Sequence, residues 1–116
     1  VCSSDLGKHA NLKGGSCRGY PCGWEEIGAK RLGDCLKEKG WKSTCGLNQK
    51  PPSGLKVGDV LIYHAGGCDN YDAHATIVTT AGATPKISCH SSNKLDVAYT
   101  YMGSSKPYLQ WLQYQG

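Results

Sequence analysis

Two histidines, His74 and His90, stand at strand ends that adjacent antiparallel pairing would bring together. His74 opens the run His74-Ala-Thr-Ile-Val-Thr-Thr, directly after a loop rich in Gly and Asp. His90 closes the run Lys86-Ile-Ser-Cys-His, and Ser91, Ser92 and Asn93 follow it. An imidazole takes the proton from a thiol or hydroxyl nucleophile, and a polar partner that fixes its tautomer completes the arrangement. A strand end places such a side chain in a cleft on a rigid support. Adjacent antiparallel strands would bring the His74 and His90 ends together. A second chemistry needs paired carboxylates, one a raised-pKa acid and the other a base or nucleophile at a glycosidic bond. The carboxylates available are Asp5, Glu25 or Glu26, and Asp69 or Asp72 in the loop before His74. On pattern alone, each of these residues also reads as an ordinary surface or capping group.

The elements that must position them divide the chain in two. The segment from Cys2 to the Gly14-Gly15 pair reads as a short helix. Ser3 or Ser4 caps it, and Asp5 suits its positive end. A Cys-bracketed loop covers residues 16–22. A second helix is expected from about Gly23 to Lys39, with Trp24, Ile27, Gly28, Leu32, Cys35 and Leu36 on one face and Gly40 as its stop. Residues 41–54 read as loop, ending in Pro51-Pro52-Ser53-Gly54. Strands are then expected over 57–64, 74–80, 86–90 and 97–102, and the tail Tyr108–Tyr114 reads as a fifth strand or a short helix. Helices followed by an antiparallel meander define an α+β class. The 116 residues suffice for one domain with one core.

Composition narrows the setting. Seven cysteines in so short a chain indicate an oxidising compartment and disulfide staples. The closest pair, Cys17-x4-Cys22, lacks the spacing of a structural zinc site. Cys45 falls just past the second helix, within reach of Cys35, and that pair is expected to bridge. Cys2, so near the start, suits a trimmed, secreted chain. The net charge of +4 suits an anionic partner such as a bacterial wall, but the basic residues are scattered and no nucleic-acid module is present. No run of 18 apolar residues exists, so membrane insertion is not expected. Phe is absent, whereas seven Tyr and three Trp supply rings with polar tips. Tyr20, Trp24, Trp41, Tyr63, Tyr71 and Trp111 are the stacking platforms that a sugar- or wall-binding surface would use.

Three runs carry a family resemblance: Lys56-Val-Gly-Asp-Val-Leu-Ile-Tyr63, Asp72-Ala-His-Ala-Thr-Ile-Val-Thr79 and Ile87-Ser-Cys-His-Ser-Ser-Asn93. Together, over about residues 55–102, they resemble the C-terminal half of papain-like cell-wall amidases, the CHAP and NlpC-type families and an allied amidase branch. The resemblance implies a papain-like α+β fold, with two N-terminal helices packed on a four- to five-stranded antiparallel sheet. It implies His74 as general base, with His90 or Asn93 orienting it. Those families carry a nucleophilic Cys at the N-terminus of an early helix, and Cys2 is similarly placed before Gly14-Gly15. A helix N-terminus stabilises a thiolate. The other six cysteines would then form three bridges, Cys35–Cys45, Cys17–Cys22 and Cys68–Cys89. The chain departs from the pattern in its thin apolar face after Cys2 and in Gly7, and Cys2 in a disulfide is the competing reading.

The overall character is also similar to the catalytic domains of secreted fungal muramidases that carry a separate SH3-like wall-binding module. In that case Asp5 would face His74. The expectation is a single catalytic domain over 1–116, with an upstream wall-binding module as an option. A secreted, monomeric peptidoglycan hydrolase without metal or organic cofactor is expected, with Tyr20, Trp24, Tyr63, Tyr71 and Asp72 expected to contact substrate. Cleavage of the peptide part stands ahead of muramidase action. A non-catalytic wall- or carbohydrate-binding module and a small secreted toxin or inhibitor are the non-enzymatic alternatives.

Overall fold

The computed structural model describes residues 28–89, 94–102 and 105–115. Among these residues one helix packs on one antiparallel sheet, an α+β arrangement. Helix α1 is Gly28–Glu38, and the strands are β1 (Lys42–Leu47), β2 (Val60–His64), β3 (Ala73–Thr80), β4 (Lys86–Cys89), β5 (Lys94–Ala98) and β6 (Tyr108–Gln113). The sheet order is β1-β6-β2-β3-β4-β5, with every neighbouring pair antiparallel.

The expected first helix lies outside the described residues, and the second is described from Gly28 onward. Six strands replace the expected four or five. The extra one, β1, falls in the stretch read as loop. Lys42–Leu47 is an edge strand without a fully buried position, so no apolar alternation marks it. The tail is a strand and lies between β1 and β2, with Leu109 to Gln113 buried. The strand expected at 57–64 starts only at Val60, and the one expected at 97–102 runs from Lys94 to Ala98 before a 3-10 turn.

Strand alternation builds two apolar clusters, one on each face of the sheet. Val60, Ile62, Ile77 and Leu112 pack with Leu32, Leu36 and Trp41 on the α1 face, joined by Ala73 and Ala75. Leu61, Tyr63, Val78, Ile87, Leu109 and Trp111 fill the other face. Burial on both sides explains why β2 reads as a continuous apolar run.

Helix α1 is closed by a Schellman motif. The Trp41 amide donates to the Leu36 carbonyl and the Gly40 amide to the Lys37 carbonyl, each at 3.0 Å. Gly40 adopts a positive φ of 94°, and Trp41 packs in the same cluster as Leu36. The helix runs along the sheet, from the β2–β3 loop at its start toward Tyr114 at its end, where the Trp41 and Tyr114 rings lie 5.3 Å apart.

The bridges differ from those expected. Cys45 is bonded to Cys68, so neither Cys35–Cys45 nor Cys68–Cys89 forms. Cys35 is in a different disulfide. The reason is β1: it carries Cys45 away from α1 along β6, toward the sheet end that the β2–β3 loop leaves. The expected Cys17–Cys22 bridge lies outside the described residues.

Candidate functional site

One end of the sheet gathers the chemistry. There β2 ends at His64, β3 begins at Ala73, β4 ends at Cys89 and β5 begins at Lys94. His74 is half-buried and pairs with Tyr63 across β2. Directly paired residues share a face, so His74 lies on the Tyr63 side of the sheet. Its neighbours Ala73 and Ala75 pack on the α1 side. A group working with His74 must therefore reach it from the face opposite α1 or around the strand end.

Beside His74 stands the loop from Ala65 to Asp72, which is heavily anchored. The Ala65 amide donates to the Asp72 carbonyl at 3.0 Å, and the Asn70 amide to the Gly67 carbonyl at 3.1 Å. The Asp72 amide donates to Asn70 Oδ1 at 2.8 Å. Gly66 has a φ of 74°, which favours glycine at that turn. The Cys45–Cys68 bridge ties the loop to β1. This frame presents Asp69, Tyr71 and Asp72 to solvent, with Tyr71 68% exposed. Lys106 Nζ lies 3.6 Å from the Asp72 carboxylate. Lys30 Nζ sits 5.2 Å from the centre of the Tyr71 ring and 2.6 Å from Asp34. The hydrogen bond to Asp34 holds the Lys30 ammonium above its ordinary value of 10.5, against the lowering effect of desolvation. The rim thus combines an exposed ring, two carboxylates and two ammonium groups, a set suited to a polar ligand with an apolar face.

The sequence-derived residues divide sharply. His74, Tyr71 and Asp72 are brought to this end. Cys2, Asp5, Tyr20, Trp24, His90 and Asn93 lie outside the described residues. Tyr63 corrects the expectation of a ligand-contacting ring. It is fully buried, and its hydroxyl donates to the Tyr99 carbonyl. Trp111, offered as a stacking platform, is also fully buried, with Nε1 donating to the Gln49 carbonyl. Both rings sit at inward positions of central strands, which composition alone does not reveal.

Two buried polar residues escaped sequence reasoning. Asp59, the acid of the Val57-Gly58-Asp59 run, accepts from the Lys56 amide at 2.8 Å and from the Tyr114 amide at 3.0 Å. It closes the turn before β2, where Gly58 takes a φ of 96°. His64 is fully buried on the α1 face and bonds to Asn70 and Gln110. Its only sequence signal was its parity with Val60 and Ile62.

An open cleft of about 350 Å³, lined by Pro51, Pro52, Ser53, Gly54, Leu55, Gly82 and Ala83, lies at the other end of the sheet from His74. Among the described residues no group of three or more His, Cys, Asp or Glu is placed to hold a metal ion, and no helix is long and apolar enough to cross a membrane. No protein-family model matches the chain, and neither a curated protein nor a solved structure matches it.

Proposed function

We propose that the chain is a secreted peptidoglycan hydrolase of papain-like type, with its reaction centred on His74. The observation that carries this reading is the half-buried imidazole at the start of β3, beside a rigid loop that exposes Tyr71 and Asp72. A base at a strand end, following a loop that exposes polar groups, is an arrangement that hydrolysis of a polymer can use. The Cys45–Cys68 disulfide is compatible with an extracellular location.

In the favoured mechanism His74 takes the Cys2 thiol proton, with His90 or Asn93 holding its tautomer. The thiolate attacks the amide carbonyl of the peptide part. The tetrahedral intermediate then collapses, the C–N bond breaks, and the leaving amine takes the proton from His74. Water, deprotonated by His74, hydrolyses the thioester and restores the thiol. A muramidase mechanism is the second reading, favoured by the two exposed carboxylates, Asp69 and Asp72, five and two residues ahead of His74. There Asp5 and one of these acids would flank the glycosidic bond.

Digestion of purified peptidoglycan separates the readings. New amino groups are expected, and their release should fall by a factor of about 10² to 10⁴ in His74→Ala and be lost in Cys2→Ser. New reducing sugars with an active Cys2→Ser variant would establish the muramidase instead. Binding without any new chain ends would leave a wall-binding module.

A further inference from the structure

The buried His64 has no part in the chemistry proposed above, yet it joins the recognition loop to the sheet. Its Nδ1 lies 3.0 Å from the Asn70 carbonyl oxygen in the loop. Its Nε2 lies 2.8 Å from Gln110 Oε1 on β6. The Nε2 of that amide lies 3.1 Å from Ser43 Oγ on β1. A carbonyl oxygen only accepts, so the hydrogen on Nδ1 is required by Asn70. The oxygen and nitrogen of a side-chain amide are assigned from the hydrogen bonds they make; with the two exchanged, the Gln110 –NH2 group donates to His64 Nε2 and its oxygen accepts from the Ser43 hydroxyl. Every member of the chain is then satisfied around a neutral ring. The orientation as placed sets both ring nitrogens against carbonyl oxygens. Only a charged ring, fully buried, would satisfy it, and charge burial is strongly unfavourable.

We propose that His64 is a positioning residue: through its Nδ1–H it fixes the 65–72 loop, so that Tyr71 and Asp72 are preformed for the wall polymer. This rests on the hydrolase reading for the identity of the ligand, but not for the role of His64 in the loop. The position of Asn70 matters because its side chain in turn receives the Asp72 amide. One proton on one ring nitrogen therefore orders the backbone that displays the rim.

Two substitutions separate the two ring nitrogens. The amide of Asn in His64→Asn reaches the position of Nδ1 and keeps a donor for Asn70. The longer side chain of Gln in His64→Gln reaches the position of Nε2 and keeps the Gln110 contact alone. In His64→Gln, the Asn70 and Asp72 amides are expected to exchange hydrogen about tenfold faster, as loss of one hydrogen bond implies. The KM for solubilised peptidoglycan should rise by about the same factor, with kcat little changed. His64→Asn should stay close to the unsubstituted protein in both. Equal effects in the two variants, or none in either, would overturn the proposal. Should both variants fail to fold, the nitrogen-15 spectrum of the His64 ring in the unsubstituted protein decides. Protonation at Nδ1 supports the proposal, and protonation at Nε2 alone overturns it. Exchange and spectrum use no substrate, so a protein that releases no new ends from peptidoglycan defeats the hydrolase reading without defeating this one.

Discussion

Asp59 and His74 are each part of a recognisable run, and the fold gives them opposite kinds of work. Asp59 is buried, and its two carboxylate oxygens hold the turn before β2 and the chain after β6 together. Bonds to a charged group are worth about 1.5–3 kcal/mol each, and loss of the acceptor strands buried amides. Asp59→Ala should therefore lower unfolding stability by about 3 kcal/mol or more in urea titration, with Asp59→Asn falling between because one acceptor oxygen remains. His74 is half-buried at a strand end. His74→Ala should leave the urea midpoint nearly unmoved, shifting stability by less than about 1 kcal/mol, while suppressing hydrolysis. A stability loss as large as that of Asp59→Ala would mark His74 as a structural residue. The position of His74 on a strand was legible from the sequence, because a strand pattern is local. The role of Asp59 was not, because its partner Tyr114 is 55 residues away. His64 was hidden in the same way: Gln110 is 46 residues distant and belongs to a tail whose secondary structure the sequence left open.

Elements were legible where their periodicity was strong and where their ends carried chemical signals. Helix α1 announced itself through Gly28, Leu32, Cys35 and Leu36, and through Gly40 as the stop. β1 gave no such pattern, since an edge strand with half-exposed faces needs none. Missing it displaced Cys45 in the expected topology, and the disulfide assignment failed with it. The packing of α1 on the sheet shows a second quantity that periodicity does not carry, the closeness of approach. A methyl group at Gly33 would come within 3.0 Å of both Ile62 Cδ1 and the Gln110 side-chain amide. Alanine gains about 1 kcal/mol over glycine from helix propensity, whereas overpacking a filled interface costs about 1–3 kcal/mol. Packing should win. Gly33→Ala is expected to destabilise by about 1 kcal/mol and, through Gln110, to disturb the His64 ring resonances. A stabilised variant would mean that helix and sheet separate more easily than these distances imply.

At the scale of the molecule, the Cys45–Cys68 bridge links stability to the site. It joins residues 23 apart, and closing a loop of that size restricts the unfolded chain by about 3 kcal/mol in the chain-entropy description. The replacement of both cysteines by alanine should therefore lower unfolding stability by about that amount. The urea m-value should rise, because an unfolded chain released from one crosslink exposes more surface. The same bridge anchors the loop that carries Tyr71 and Asp72, so the folded protein should change as well. The hydrogen bonds from Ala65 to Asp72 and from Asn70 to Gly67 close the loop on itself, and His64 holds it from below. None of these bonds the loop directly to β1, and His64 reaches that strand only through Gln110 and Ser43. Loss of the bridge should accelerate amide exchange within residues 66–72 while leaving β2, β3 and β6 protected up to the new global stability. Uniform acceleration across the sheet would show that the bridge acts through the unfolded state alone. Acceleration confined to the loop beyond that baseline would show that it shapes the rim beside His74.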